Sequence, residues 1–253
     1  MSIGFYTGVS GMTAYQQQLD TIAHNIANVN TSGFKSSRAS FDDLLYTKMN
    51  VKVEGENKTG HGARVASTDI SYGQPGGLEQ TGYSLDFAVT GGEGLFAVDN
   101  NGAREYTRNG AFGVSIEGKK GYLITNDGAY VLDKRGKSIS LNLDDNGAAI
   151  VEDVAEHIGI YVFKNPYGLT PLTGSRFAET ETSGTATEAS KVRKSDKAPN
   201  AAKMEVMQYT LERSNVDLGE QMTDVIQAQR AFQLNAKVVQ TADQLDEVIN
   251  NLR

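Results

Sequence analysis

The residues that could do chemistry are few and lie far apart. His24, His61 and His157 are the three imidazoles of the chain. None stands in a His-Glu-x-x-His or similar short spacing, so no metal site is expected. Gly92-Glu93-Gly94-Leu95-Phe96-Ala97 fits the loose dinucleotide pattern, but that pattern needs a helix N-terminus after the glycines. Strand-type residues follow instead, so a plain turn is expected. Asp144-Asp145-Asn146-Gly147 lacks the alternate-residue oxygens and closing Glu of a calcium loop and reads as a hairpin turn. No Gly-x-Ser-x-Gly elbow occurs, and with no cysteine there is neither a disulfide nor a thiolate. Triads can assemble from distant residues, but nothing here singles one out. The expectation is a protein that is not an enzyme and takes no cofactor.

Composition narrows the partners. A formal charge of −7 without a basic cluster argues against nucleic acid, whose binders need a positive patch, and against anionic membrane surfaces. No apolar run approaches the roughly 18 residues of a membrane span. Residues 1–12 lack the basic n-region and contiguous apolar core of a cleavable signal peptide. The 253 residues suffice for one large or two modest domains.

What must position any working surface is a pair of terminal helices. Phe5, Val9, Met12, Tyr15, Leu19, Ile22, Ile26 and Val29 step by three or four, a coiled-coil spacing with one short step between Met12 and Tyr15. From Leu218 a second stripe runs through Met222, Val225, Gln229, Phe232, Ala236, Val239, Ala242, Leu245, Ile249 and Leu252, one face of a long helix. Ser214 or Asn215 is expected to cap it, with Asp217 and Glu220 at the positive end of its dipole. At 1.5 Å per residue the helices would span roughly 40 Å and 55 Å. Residues 1–30 carry one formal charge, Asp20, and their polar face holds Thr13, Gln16, Gln17, Gln18, Thr21, Asn25 and Asn28. Amides tolerate desolvation better than Lys and Glu do, so this helix is expected to be surrounded by protein, including neighbours beyond this chain.

Between the helices the pattern changes twice. Residues 34–75 mix six basic and five acidic side chains with Gly and Ser, the composition of a linker or extended arm. From Leu78 short strands alternate with turns. Those expected cover residues 85–89, 94–98, 104–107, 112–115, 122–125, 129–132, 139–143, 159–163 and a last one over 204–211. Hairpin turns are expected at Asn100-Asn101-Gly102, Gly118-Lys119-Lys120-Gly121, Asn126-Asp127-Gly128 and Asp144-Asp145-Asn146-Gly147. Residues 180–200 are rich in Ser, Thr, Ala and Lys and read as a mobile surface loop. The fold class expected is α+β. Terminal helices over 1–30 and 214–253 pair as a coiled-coil-like hairpin, joined by an extended arm over 31–77 to an inserted β-rich outer domain over 78–213.

Several stretches carry a family likeness. Asn25-Ile26-Ala27-Asn28-Val29-Asn30-Thr31-Ser32-Gly33-Phe34-Lys35 with Phe41-Asp42-Asp43-Leu44-Leu45-Tyr46 resembles the N-terminal signature of the bacterial flagellar rod and hook proteins. Leu85 to Val89, Gly92 to Phe96 and Tyr106-Thr107-Arg108-Asn109-Gly110-Ala111-Phe112 resemble their central β domain. Ser214-Asn215-Val216-Asp217, Gln227 to Phe232, and Asn235, Lys237 and Asp243 resemble their C-terminal signature. His24 departs, since Asn or Ser is more usual there. The resemblance implies a structural subunit of the flagellar rod that polymerises helically with identical copies into a hollow drive shaft. It further implies contact with other rod proteins and the hook protein, a basal-body location in the periplasm or cell-wall region, and passage through the flagellar type III export apparatus without signal cleavage. The chain length suits a rod protein better than a hook protein, and the distal rod is favoured over the proximal one, although the arm is shorter than distal rod proteins often show. The residues it assigns to the assembly interface are Met12, Tyr15, Leu19, Ile22, Asn25, Ile26, Asn28, Val29, Gly33 and Phe34, together with Leu218, Met222, Val225, Gln229, Arg230, Phe232, Asn235, Val239, Leu245 and Ile249. The alternative of another class is a secreted β-rich binding domain dimerised by its terminal helices.

Overall fold

A computed structural model describes residues 3–48, 58–118, 120–143, 150–151, 154–189 and 204–252. In chain order the elements are α1 (Ile3–Ala27), β1 (Ser37–Asp43), β2 (Tyr46–Lys48), β3 (Lys58–Gly60), β4 (Ala63–Ile70), β5 (Leu78–Gln80), β6 (Phe87–Thr90), β7 (Leu95–Asn100) and β8 (Ala103–Thr107). They continue with β9 (Phe112–Glu117), β10 (Lys120–Thr125), β11 (Tyr130–Val131), β12 (Ser140–Leu141), the short α2 (Val154–His157), β13 (Ile160–Val162), β14 (Thr170–Leu172), β15 (Arg176–Ala178), β16 (Thr187–Glu188), β17 (Glu205–Gln208), β18 (Thr210–Glu212) and α3 (Leu218–Asn251). They form an α+β structure of two compact units, each discontinuous in sequence. One holds residues 1–27, 36–71 and 216–253, the other residues 28–35 and 72–215.

In the helical unit α1 and α3 run antiparallel, about 37 Å and 51 Å long at 1.5 Å per residue. Asp217 is the N-cap of α3, its carboxylate accepting from the amides of Gly219 at 2.8 Å and Glu220 at 3.2 Å. The cap therefore sits two residues beyond the expected Asn215, whose own amide donates to the Phe34 carbonyl and whose side chain donates to the Gln74 carbonyl at 3.2 Å. The described residues of the stretch 36–71, expected within an extended arm, pair instead as antiparallel ribbons, β1 with β4 and β2 with β3. The first ribbon packs on α1. The Ser37 amide donates to Asn25 Oδ1 at 2.9 Å, Asn25 Nδ2 returns a bond to the Ser37 carbonyl at 2.7 Å, and the Phe41 ring lies 5.6 Å from that of Tyr15. Part of the protein expected around the charge-poor first helix is thus supplied by its own chain.

In the β unit, β7 is the organising strand. It pairs antiparallel with β8 along one edge and with β13 and β11 along successive stretches of the other. Leu95, Phe96, Ala97 and Val98 are all buried, the pattern of a strand covered on both faces. The β7–β8 turn is Asn101-Gly102, with φ of 53° and 87°. Two positive φ values in a two-residue loop match the right-handed twist of the flanking strands, which is why Asn-Gly announces it. The sheet extends through β15 to β14 on one side and through β10 to β9 and β12 on the other. Phe87, Phe96, Val98, Leu123, Val131 and Ile158 form the fully buried centre.

Several expectations are corrected. The last strand, expected over 204–211, is two strands broken at Tyr209, which has a φ of 63°. Its carbonyl accepts from the Thr81 amide at 2.9 Å, and the chain changes partner there from β6 to β5. The hairpin β14–β15 adds to the expected strands, and its Pro171 lies at the sheet edge, where a missing N–H costs no ladder bond. The surface loop expected over 180–200 begins as ordered structure. Ser183 is fully buried and exchanges hydrogen bonds with Thr180, and β16 pairs with β13. Residues 190–200, and the turn expected at 144–147, lie outside the described residues.

Candidate assembly surface

The α1–α3 seam is built from small residues. Gly8, Gly11, Ala14, Ile22 and Asn25 are the buried positions of α1, while Ala228 and Ala242 are those of α3. A Cβ added to Gly8 would lie 2.8 Å from Val239 Cγ2, and one on Gly11 would lie 2.8 Å from Asn235 Oδ1. The absence of side chains there is what lets the helices approach. Near the other end Asn25 Nδ2 donates to Gln221 Oε1 at 2.8 Å, with Asn25 only 1% exposed. The antiparallel register thus sets Asn25 against Gln221, Gly11 against Asn235 and Gly8 against Val239. On α3 Gln221, Val225, Ala228, Phe232, Asn235, Val239 and Ala242, each buried or half-buried, step by four and three, the seven-residue rhythm of a coiled-coil seam.

This seam divides the expected residues into three groups. Ile22 and Asn25 are buried in the pair, while Met12, Tyr15, Leu19, Ile26, Val225, Phe232, Asn235 and Val239 are half-buried. Leu218, Met222, Gln229, Arg230, Leu245 and Ile249 are exposed. The stripe expected as one face of α3 therefore splits across two. Large apolar side chains drew the expected stripe toward themselves, but helices in close contact are better served by Gly and Ala. Beyond the exposed residues already named, Ile226, Leu234, Val238, Val248 and Leu252 are 45–84% exposed, giving α3 an apolar face away from α1.

The remaining expected residues, Asn28, Val29, Gly33 and Phe34, belong to the β unit. The Asn28 carbonyl and carboxamide accept from the Thr31 amide and hydroxyl, each at 3.1 Å, and the Val29 side chain is half-buried. Gly33 has a φ of 69°, and a Cβ there would meet the Arg108 carbonyl carbon at 2.5 Å, so the turn tolerates no side chain. The Gly33 amide donates to the Glu212 carbonyl at 2.7 Å, and Phe34 is 8% exposed.

This turn delivers Lys35 to an ion cluster the sequence did not announce. Lys35 Nζ lies 2.7 Å from one Glu212 carboxylate oxygen and Arg108 Nε lies 2.5 Å from the other, with all three side chains at most 3% exposed. The Gly76 amide donates to the same carboxylate at 2.9 Å, and Lys35 also donates to the Gln74 carbonyl at 2.9 Å. The two terminal nitrogens of Arg108 also donate, to the carbonyls of Gly94 and Val89. Burial alone would push the Glu212 carboxyl up, but Arg108, Lys35 and the Gly76 amide outweigh it and hold the group below the usual carboxylate range. Burial pushes the Lys35 ammonium down against the pull of Glu212. Two cations on one anion, with all three side chains closed off from solvent and bonded to protein, offer no access to a substrate, so the cluster is structural in character. It joins residues 33–35, 74–76, 89–94, 108 and 212 of the β unit. Glu212, two residues before the expected C-terminal signature, carried no sequence signal; a carboxylate shared by two cations is visible only once the strands are paired.

The other chemistry-bearing residues do not converge. His24 and His157 are exposed, and His61 pairs with the Thr47 hydroxyl. Among the described residues no group of three or more His, Asp or Glu could hold a metal ion. Gly92 and Gly94 are followed by strand β7, and a Cβ on Gly94 would sit 2.4 Å from Ile160 Cγ2. No helix among the described residues is long and apolar enough to cross a membrane.

Comparison with known proteins follows this geometry. Residues 5–35, which hold α1 and its closing turn, match the profile described as flagella basal body rod protein, and residues 207–252 match the C-terminal profile of the flagellar basal body rod FlgEFG proteins. Residues 89–160 match the D1 domain profile of the flagellar hook proteins FlgE/F/G. Over the full chain the protein is similar to the flagellar basal-body rod protein FlgG of Bacillus subtilis, at 34% identity covering 98% of each chain. It is also similar to that of Borreliella burgdorferi, at 33% identity covering 100% of this chain and 99% of the relative. The flagellar hook-basal body complex protein FlhP of Bacillus subtilis matches at 29% identity over 98% of each. With helical seam, ion cluster and β core all inside these matched spans, the chain belongs to the flagellar basal-body rod protein family.

Proposed function

We propose that the chain is a structural subunit of the bacterial flagellar basal-body rod, polymerising helically with identical copies into a hollow shaft that transmits torque from motor to hook. The observation that carries the reading is the second face of α3. Met222, Ile226, Leu234, Val238, Leu245, Val248, Ile249 and Leu252 are 45–84% exposed on a helix whose opposite side is already occupied by α1. An apolar face of that extent on an otherwise acidic chain marks a protein contact. Two surfaces on one subunit that join by rotation and rise build a filament, whereas a two-fold contact closes. On this reading Met12, Tyr15, Leu19, Ile22, Asn25, Ile26, Val225, Phe232, Asn235 and Val239 form the helical pair. Leu218, Met222, Gln229, Arg230, Leu245 and Ile249 contact other copies, and the turn at Asn28, Val29, Gly33 and Phe34 fixes the start of the β unit. The β unit forms the outer wall by lateral contact and is not a catalyst.

The position favoured is the distal rod, with other rod proteins and the hook protein as neighbours, in the periplasm or cell-wall region. Delivery runs through the flagellar type III export apparatus without signal cleavage. The likeness to FlhP supports a second reading, an axial subunit at a different level of the same shaft. Two measurements test the proposal. Purified protein at high concentration, seeded with natural rod fragments, is expected to elongate into straight rods under the electron microscope. A two-fold dimer that never elongates would overturn the filament reading. Basal bodies from a strain lacking the protein are expected to stop short of the hook, and a missing segment nearer the motor would select the second reading.

A further inference from the structure

Among the described residues the step Asn-Gly occurs at Asn101-Gly102 and at Asn109-Gly110, and the fold treats the two in opposite ways; a third, Asn146-Gly147, lies outside them. Asn-Gly is the step at which a backbone amide most readily attacks the side-chain carbonyl carbon before it, because glycine puts no side chain in the path of its own nitrogen. Asn101 and Gly102 are both exposed, and a Cβ on Gly102 would meet nothing within 4 Å. The Gly102 amide takes no part in the β7–β8 ladder, whose last pair is Asn100 with Ala103. It donates instead to Asp99 Oδ1 at 2.8 Å. Asn109-Gly110 is closed in on every side. Asn109 is half-buried, its amide donates to Thr107 Oγ1 at 3.1 Å, and its Oδ1 accepts from the Ala111 amide at 3.0 Å. Gly110 is buried, its carbonyl accepts from the Phe87 amide at 3.0 Å, and the Phe87 carbonyl oxygen stands 1.7 Å from where a Cβ would be.

We infer that Asn101 is a self-modification site, at which the Gly102 nitrogen closes on Asn101 Cγ with Asp99 as the base. The nitrogen forms its bond to Cγ while its proton passes to Asp99 Oδ1. The Cγ–Nδ2 bond then breaks as the carboxamide nitrogen takes that proton and leaves as ammonia. Water opens the resulting five-membered imide at either carbonyl, giving aspartate or isoaspartate, and no oxidant or other co-reactant is required. A base already within hydrogen-bond reach of the proton it removes is the arrangement general-base catalysis needs. Closing the ring requires rotation about the Asn101 Cα–C bond, which no packed neighbour of Gly102 opposes. At Asn109 the same rotation would pull Gly110 off Phe87 and break the Asn109–Ala111 bond. Either product adds a negative charge beside Asp99. Isoaspartate also adds a backbone carbon to a loop whose two residues set the register of β7 against β8.

The test is a time course on the full-length protein in neutral buffer, with tandem mass spectrometry of its peptides locating each amide-to-acid conversion and separating aspartate from isoaspartate. Conversion at Asn101 is expected to outrun that at Asn109 by about tenfold or more. In concentrated urea the two steps become the same exposed dipeptide, and their ratio should fall towards one. Asp99→Asn keeps an oxygen for the Gly102 amide but removes the base, so its Asn101 rate is expected to fall about tenfold or more, with amide exchange of residues 87–141 confirming the fold. The pH profile reads the same role without any substitution. Between about pH 6 and 8 carboxylates are ionised, so the natural rate should change little, while that of Asp99→Asn should rise in proportion to hydroxide. Equal conversion of Asn101 and Asn109 in the folded chain, or none at Asn101, would overturn the site. An undiminished rate in Asp99→Asn, or a natural rate proportional to hydroxide, would overturn the role of Asp99.

Discussion

Glu212→Gln is the substitution on which the account of the β unit stands or falls. The carboxylate accepts from Lys35 at 2.7 Å, Arg108 at 2.5 Å and the Gly76 amide at 2.9 Å. Glutamine keeps the shape but turns an NH2 toward a cation and leaves two positive charges without their anion. Removing one partner of a buried ion cluster costs about 3–5 kcal/mol, about a fifth or more of the roughly 5–15 kcal/mol that holds a domain together. Lys35→Met should behave differently, because it leaves Arg108 and Glu212 as a one-to-one pair and relieves a desolvated ammonium. Its expected cost is about 0–2 kcal/mol, chiefly the lost bond to the Gln74 carbonyl. Urea unfolding followed by tyrosine fluorescence reads the right unit. There is no Trp, and Tyr72, Tyr83, Tyr106, Tyr122, Tyr130, Tyr161, Tyr167 and Tyr209, eight of the eleven tyrosines, belong to it. The pH dependence gives a second readout. The folded pKa of Glu212 is depressed, so its stabilisation is complete above the unfolded value and is lost as pH falls through the folded one, below about pH 4. The gap between natural chain and Glu212→Gln should therefore narrow in acid. A Lys35→Met cost equal to that of Glu212→Gln, or a gap independent of pH, would refute the placement of Glu212 at the centre of the cluster.

Three further substitutions test other parts of the structure. Gly110→Ala would set a Cβ 1.7 Å from the Phe87 carbonyl oxygen and is expected to cost about 3 kcal/mol or more, whereas Gly77→Ala, with nothing within 4 Å, should change stability by less than about 1 kcal/mol. Equal effects in denaturant unfolding would show the two backbones to be misplaced. Tyr72 is 5% exposed and its hydroxyl has no hydrogen-bond partner among the described residues, so Tyr72→Phe should be neutral or stabilising by up to about 1 kcal/mol in the same unfolding experiment. A clear loss would mean that the hydroxyl is bonded. Asp217→Ala removes the α3 cap and should cost about 1 kcal/mol, seen as faster amide exchange over residues 218–222, while Asn215→Ala should leave those amides unchanged.

Local signals carried far in this chain, and they failed where two distant segments meet. The hairpin at Asn101-Gly102 was legible because the turn chemistry lies wholly inside two residues. The strands around it were legible because Phe87, Phe96, Val98, Leu123 and Val131 fall in short apolar runs bounded by turns. The arm over 36–71 was not, since its charges and glycines are those of a linker. Only its pairing with β4, and the packing of Phe41 on Tyr15 and of Ser37 on Asn25, make β1 a strand. The break at Tyr209 was invisible for the same reason, being caused by carbonyl acceptance from Thr81 far upstream.

Sequence alone determined that the chain is α+β, that its ends are helices with three- and four-residue apolar spacing, and which family its signatures resemble. These are properties of periodicity and short motifs, which survive without knowledge of any contact. Tertiary structure alone decided which side of each helix is the seam. Periodicity reports that a face exists and weights it by side-chain size, whereas close helix contact selects the smallest side chains, here Gly8, Gly11, Ala228 and Ala242. It alone placed Lys35 and Arg108 on Glu212, because a pairing between residues 177 and 104 positions apart leaves no trace in the spacing of either.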